Sequence, residues 1–318
     1  MNTEPLTIDS QKAGLRLDHF LVQQLPHISR SRLQKFIKEQ KVTVNGNHPS
    51  VHQFLKEGDI VALAFEPSET NEREKVGNTR NWKIDIIAEK PDYLIVNKPA
   101  GILVHPAESA REYTLVDYIL EHYPEIKGVG EDPLRPGIVH RLDRDVSGVM
   151  VIARTWNMYE HLRTLFRDRK VTKEYEALVH GSPSAAEGDI SFSIGRSKQG
   201  DGKMSAKPDE SGKAAHTRFI VLESFRNYAL LRVMPQTGRM HQIRVHLRAY
   251  GLPIVGDALY HARQRKNDLG AARPLLSAVK LSFADLTGAV QTYSAPRPED
   301  FDHILESLRN SNTVKKKI

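Results

Sequence analysis

Leu15, Leu17, Phe20, Leu21 and Leu25 recur at the spacing that puts apolar side chains on one face of a helix, and Pro26 ends the run. A second helix is expected at once. Ser31 with Gln34 fits a reciprocal capping pair, after which Leu33, Phe36 and Ile37 share one face and Lys35 and Lys38 the other. The period then changes to two: Lys41 to Val44 alternates as a strand, Asn45-Gly46 supplies a tight turn, and Gly58-Asp59 precedes a second apolar run from Ile60 to Phe65. Two helices and a small hairpin therefore make a module over residues 14–64, preceded by a polar stretch at 1–13.

Large apolar residues almost vanish across 65–81, the composition of a flexible linker. From Trp82 onward short β-type runs dominate, at Ile84 to Ala88, Tyr93 to Val96, Val149 to Ala153, Tyr175 to Val179, Phe219 to Leu222, Ala229 to Val233 and Ala278 to Phe283. Helical periodicity intervenes at Leu115 to His122, Met158 to Phe166 and His241 to Tyr250, the last followed by Gly251 as a helix stop. Strands that follow one another without regular alternation with helices predict an α+β domain with a mostly antiparallel mixed sheet, over 82–310.

The absence of cysteine excludes disulfides, thiolate metal ligands and cysteine nucleophiles. No run approaches the ~20 apolar residues of a membrane span, so a cytoplasmic protein without membrane attachment is expected. A net charge of +7 suits a polyanionic partner only if the cations are gathered on one surface. Arg30, Arg32 and Lys41 do flank the Lys35 and Lys38 face, although that face taken alone reads first as an ordinary solvated helix surface. Lys315-Lys316-Lys317 reads as part of a solvated tail over 311–318.

The chemistry concentrates between Arg135 and Gly148, where a Pro-Gly turn leads through His140-Arg141-Leu142-Asp143-Arg144-Asp145 into a β run. Cations around Asp143 favour a charged carboxylate, available as nucleophile or base. By composition alone the same residues equally describe an ion-pair cluster on a surface turn. His140, His241 and His246 have no acidic or histidine partner at a ligand spacing, so they read as structural histidines, and no metal is expected. No Gly-x-Ser-x-Gly element supports a serine hydrolase, and no nucleotide fingerprint points to a bound cofactor.

Two resemblances decide between these alternatives. Arg16-Leu17-Asp18, Ser29-Arg30-Ser31-Arg32, Val42-Thr43-Val44-Asn45-Gly46 and Gly58-Asp59 together resemble the alpha-L, or S-four-like, RNA-binding module. That resemblance implies an RNA surface on the second helix, with Arg30, Arg32, Lys35 and Lys38 contacting mainly phosphate. His140-Arg141-Leu142-Asp143 with Ser147-Gly148 resembles the signature of RluA-type pseudouridine synthases. Three further stretches match that family in order: Asp92 to Gly101 with Val104-His105-Pro106, Lys173-Glu174-Tyr175-Glu176-Ala177, and Pro235 to His246.

The second resemblance implies the pseudouridine synthase catalytic fold and isomerisation of uridine to pseudouridine in structured RNA. Asp143 would be the catalytic residue, Tyr175 the aromatic packed against the base, Arg244 the salt-bridge partner of Asp143, and Arg141 an arginine that enters the RNA stack beside the extruded nucleotide. The reaction changes no oxidation state, so neither metal nor redox cofactor is implied. Coupling an S-four-like module to this catalytic type resembles enzymes acting on large-subunit ribosomal RNA, with transfer RNA as the alternative. A monomer without an obligate protein partner is expected, because RNA supplies the large partner surface. Val146 and Met240 stand where the family has threonines, Leu275-Leu276-Ser277-Ala278 lacks its histidine, and Phe283 to Leu286 departs from its ending. These departures bear more on rate and substrate choice than on reaction type. Two rival readings remain: a non-catalytic RNA-binding or ribosome-assembly protein, and a base-excising hydrolase using the same carboxylate.

Overall fold

The computed structural model describes residues 5–10, 12–25, 28, 30–65, 82–106, 112–197, 203–207, 212–260 and 268–315. It divides into two compact units, one of residues 1–82 with 105–137 and the other of 83–104 with 138–318. Nearly all of the expected linker, residues 66–81, lies outside the described residues.

In the first unit, β1 (Leu6–Thr7), β2 (Val42–Val44) and β3 (Ile60–Leu63) form an antiparallel sheet of order β1-β3-β2. Two helices accompany it, α1 (Leu17–Gln24) and α2 (Arg30–Lys38). Leu17, Phe20 and Leu21 of α1 and Leu33 and Ile37 of α2 share one core with Val42, Val44, Val61 and Leu63, as the two periodicities require. The second helix starts earlier than the capping pair at Ser31 would place it. Arg30 already opens α2, so Ser31 lies inside the first turn. Gln34 donates through Nε2 to Asp18 Oδ2 at 2.8 Å. Asp18 is fully buried and also accepts from Arg16 Nε and Nη2 at the start of α1, while the Gln34 bond ties α1 to α2. Farther along, α3 (Leu115–His122) starts at Thr114, whose side chain and that of Asp117 cap each other's backbone amides.

The second unit is one mixed sheet with flanking helices. Its strands are β4 (Asp85–Glu89), β5 (Tyr93–Lys98), β6 (Ser147–Ala153), β7 (Thr172–His180), β8 (Glu187–Ile190), β11 (Thr217–Ser224), β12 (Tyr228–Pro235), β13 (Leu276–Ala284) and β14 (Val290–Ser294). They run in the order β4-β5-β6-β13-β7-β12-β11-β8, with β14 also on β13. A separate hairpin is made by β9 (Ser193–Arg196) and β10 (Met204–Lys207). Helices α4 (Trp156–Arg167), α5 (Gln242–Ala249) and α6 (Glu299–Lys315) complete the unit. Strands β8, β9, β10 and β14 are short and polar, which is why hydrophobic periodicity missed them. Helix α6, also unforeseen, seats Phe301 and Leu305 on Leu178, Tyr228 and Leu230. The tail expected from Ser311 is helical as far as Lys315, and residues 316–318 lie outside the description. Among the described residues no helix is long and apolar enough to cross a membrane.

The only parallel pairing among these strands joins β6 to β13, over just Ser147↔Ser277 and Ala278↔Gly148; β13 then passes on to pair with β14. This short seam requires Gly148. Its φ is +123°, and a Cβ there would sit 2.1 Å from the Ala278 carbonyl oxygen. Gly148→Ala is therefore expected to cost about 3 kcal/mol or more, combining backbone strain with overpacking. A urea titration checks this, and an unchanged midpoint would disprove it.

Candidate active site

Asp143 stands on the loop that enters β6 at this seam. Three backbone carbonyls hold the loop to the turn after β5: Lys98 Nζ donates to Pro99 O, Ile102 O and Arg144 O at 2.8, 3.0 and 3.0 Å. Gly101 N–H adds a bond of 2.8 Å to Arg144 O. Burial draws the Lys98 ammonium down to about 7, against the pull of Asp145 and Asp143. Among the described residues it has no carboxylate partner in contact, so it serves as a clamp on carbonyl dipoles.

Arg244, on α5, reaches the Asp143 carboxylate. Its Nη1 donates to Asp143 Oδ2 at 2.9 Å, while Nε and Nη2 grip Asp257 Oδ2 and Oδ1, each at 2.8 Å. The two carboxylates differ in access: the Asp143 side chain is 20% exposed and that of Asp257 2%. Asp257 thus anchors the guanidinium, and Asp143 is the carboxylate left partly open to solvent. Burial by itself would lower the Arg244 pKa, but bonding and charge from Asp257, then Asp143, hold it above its ordinary value. Asp257 is in turn fixed by the amides of Leu259 and Tyr260, and it follows Gly256, where φ is +76° and a Cβ would meet the Arg273 carbonyl.

The start of α5 is wired to β11. Gln242 donates to His216 O and Thr217 Oγ1 and accepts from Thr237 Oγ1 and Arg239 N, so both ends of its amide are engaged. One turn on, His246 donates through Nε2 to Phe192 O and meets Thr217 Oγ1 through Nδ1. These bonds set the position of the turn between Gln242 and His246, which carries Arg244.

Tyr175 is half-buried on β7, its backbone paired with Ala278 on β13 and Val233 on β12. Burial and the charge of Asp143 raise its phenol pKa, so the ring remains neutral. His140 accepts from Val151 N–H through Nε2 at 3.0 Å and stacks on Phe166 with centroids 4.7 Å apart. Burial, then the Lys173 charge, brings it down to about 3, so it is a neutral structural ring. Arg141 is exposed two residues before Asp143. Among the described residues no group of His, Asp or Glu is arranged to ligate a metal.

The RNA pseudouridylate synthase family model matches residues 92–249, spanning Asp143, Tyr175 and Arg244, and the S4 domain model matches residues 15–61. The chain is 35% identical to the uncharacterized RNA pseudouridine synthase YlyB of Bacillus subtilis, over 98% of this chain and all of that protein. The chain belongs to the RNA pseudouridine synthases. It is also 36% identical to the ribosomal large subunit pseudouridine synthase D of Pseudomonas aeruginosa, over 93% of this chain and 92% of that protein. The solved structure of human RNA pseudouridylate synthase domain containing 4 superposes with a TM-score of 0.56 at 28% identity, covering 71% of this chain and 93% of that one. As a pseudouridine synthase the protein is an isomerase that binds RNA and converts uridine to pseudouridine, which sets aside the non-catalytic and base-excising readings.

The synthase's departures from the family pattern lie in different local settings. Ser277 is fully buried and accepts a bond from Ser147 Oγ at 3.2 Å, across the parallel seam. Val146 is buried, while Met240 is exposed immediately before His241. On the basic helix, Arg32, Lys35 and Lys38 are exposed, Arg32 lies over Phe36 at 5.5 Å, and Lys35 is 3.7 Å from Glu39; the side chain of Arg30 lies outside the description. Sequence reasoning left Lys98 and Asp257 without roles and treated His241 as structural. Gly256-Asp257 carried a turn signal, but nothing in the spacing related it to Arg244.

Proposed function

We propose that Asp143 is the catalytic carboxylate of this synthase, with Arg244 as its cation, Tyr175 against the target base and Arg141 beside the vacated position in the RNA stack. The observation that carries this reading is the shared guanidinium. Arg244 gives two bonds to buried Asp257 and one to Asp143, so the part-exposed carboxylate is held by the guanidinium through one oxygen, Oδ2. The uridine leaves its helix to reach the site. Asp143 then attacks the nucleotide covalently or removes a sugar proton to give a glycal. The uracil detaches, turns, and rejoins through carbon five, so the RNA mass does not change.

The substrate we infer is large-subunit ribosomal RNA, bound in the cytoplasm by a monomer without an obligate protein partner. The end-to-end similarity to ribosomal large subunit pseudouridine synthases D supports that substrate. Mapping pseudouridine across total RNA with and without the gene tests it. Loss of a site in large-subunit RNA is expected. Loss only from transfer RNA would overturn the substrate, and loss from neither would overturn both.

In this reading residues 14–64 grip RNA and residues 82–310 catalyse, with Arg30, Arg32, Lys35 and Lys38 contacting phosphate. Lys35→Gln with Lys38→Gln should weaken binding to all tested RNAs alike and flatten the log Kd against log salt slope by roughly one per lysine. Filter binding over a salt series measures this, and an unchanged slope would remove α2 from the RNA surface.

A further inference from the structure

His241 is the residue at this site that the proposed mechanism leaves without work, and its geometry is the least ordinary there. It precedes α5 with φ 55° and ψ 21°, a left-handed conformation that a non-glycine side chain adopts at a cost of order 1 kcal/mol. Its two ring nitrogens face opposite ways along one chain of polar groups. Nδ1 is 2.8 Å from the Tyr260 hydroxyl, and Nε2 is 3.8 Å from Asp143 Oδ2.

The direction of that chain turns on the tautomer of His241. The Met204 amide can only donate, and it donates to Tyr260 Oη at 3.0 Å. Among the described residues, the remaining acceptor for the Tyr260 hydroxyl proton is His241 Nδ1. With Nδ1 accepting, a neutral imidazole carries its proton on Nε2, the nitrogen that faces Asp143 Oδ2. At 3.8 Å this is not yet a hydrogen bond, but contacts at unliganded sites commonly tighten when substrate excludes water. The Tyr260 ring also lies 5.0 Å from the Arg244 guanidinium carbon, so one tyrosine steadies both groups that face Oδ2.

We propose that His241 is a positioning residue for Asp143: its neutral imidazole, oriented by Tyr260, directs an Nε2–H at Oδ2, so that His241 and Arg244 together hold that oxygen and leave Oδ1 to the substrate. The inference rests on Asp143 being the catalytic carboxylate. The charged and titratable groups around His241 are Asp143, Arg244, Asp257, Arg141 and Tyr260. Burial lowers its pKa, opposed by Asp143, so the neutral form prevails at neutral pH. Protonation would put a hydrogen on Nδ1, against the Tyr260 hydroxyl proton, and a second full cation on Asp143, making the carboxylate a poorer base and nucleophile.

The test uses the full-length enzyme in single turnover on RNA from a strain lacking the gene and grown on [5-3H]uridine, since loss of the C5 hydrogen releases tritium. His241→Leu should slow release by roughly ten- to a hundredfold. His241→Gln, which keeps an N–H donor under the same backbone strain, should stay within about threefold of wild type. The wild-type rate should fall along a limb below pH 6.5, and His241→Gln should move that limb to lower pH. Tyr260→Phe removes one hydroxyl and should displace the same limb. Equal rates for the Gln and Leu variants, or identical pH profiles for wild type, His241→Gln and Tyr260→Phe, would overturn the inference while Asp143→Asn remained inactive. Tritium release by Asp143→Asn would overturn the catalytic reading and this inference with it.

Discussion

Asp143→Asn is expected to abolish pseudouridine formation while leaving fold and RNA affinity nearly intact. The substitution preserves side-chain shape and keeps an oxygen able to accept the Arg244 Nη1 bond made by Oδ2. It removes only the charge that makes the group a nucleophile or base, so the rate should drop by about 10⁴-fold or more. Removing one partner of a buried ion pair ordinarily costs about 3–5 kcal/mol. Here that cost should be small, within about 1 kcal/mol, because Asp257 still neutralises Arg244 through two bonds and Asp143 is partly solvated. Three measurements separate the outcomes: nucleoside analysis of the product, RNA binding, and the urea midpoint. Full activity would refute the catalytic assignment. A large loss of stability would mean that Asp143 is chiefly structural.

The parts of this protein legible in the sequence are those whose physics is local. Alternation and helical spacing located every long strand and helix from α1 to β13, because burying one face imposes a period wherever it occurs. Strands β8, β9, β10 and β14 escaped because they are short and flanked by polar residues, and α6 because its apolar positions are sparse. A tertiary bond at Gln34 was equally beyond local spacing, since its amide donates to buried Asp18 on the neighbouring helix. At the site, the contact between Asp143 and Arg244 was expected from resemblance and is present. Its support was not legible. Lys98 clamps a loop forty-six positions away, and Asp257 reaches Arg244 across thirteen. Neither separation corresponds to a helical or strand period, so only the fold brings these groups together.

Asp257 gives the sharpest separation of structure from chemistry. Asp257→Ala strips the Arg244 guanidinium of two bonds and leaves the Leu259 and Tyr260 amides without their carboxylate acceptor. With Arg244 almost fully enclosed, a stability loss of about 3–5 kcal/mol is expected. Activity should fall by roughly a hundredfold or more, since the freed guanidinium no longer sets the Asp143 carboxylate. Asp257→Asn keeps the shape and one acceptor, and should lose less stability, about 1–3 kcal/mol. The informative variant is the double one. Replacing Arg244 by Met and Asp257 by Leu removes both buried charges, so its stability should recover above that of Asp257→Ala, because the cost of burying an unpaired ion is gone. Its activity should not recover, since Asp143 then has no cation. Denaturation midpoints and tritium release on the same samples read both quantities. Recovery of both would make the ion pair a scaffold alone. Recovery of stability without activity would mean that Asp257 is present to hold one arginine at a catalytic carboxylate, and not because the fold needs a buried charge.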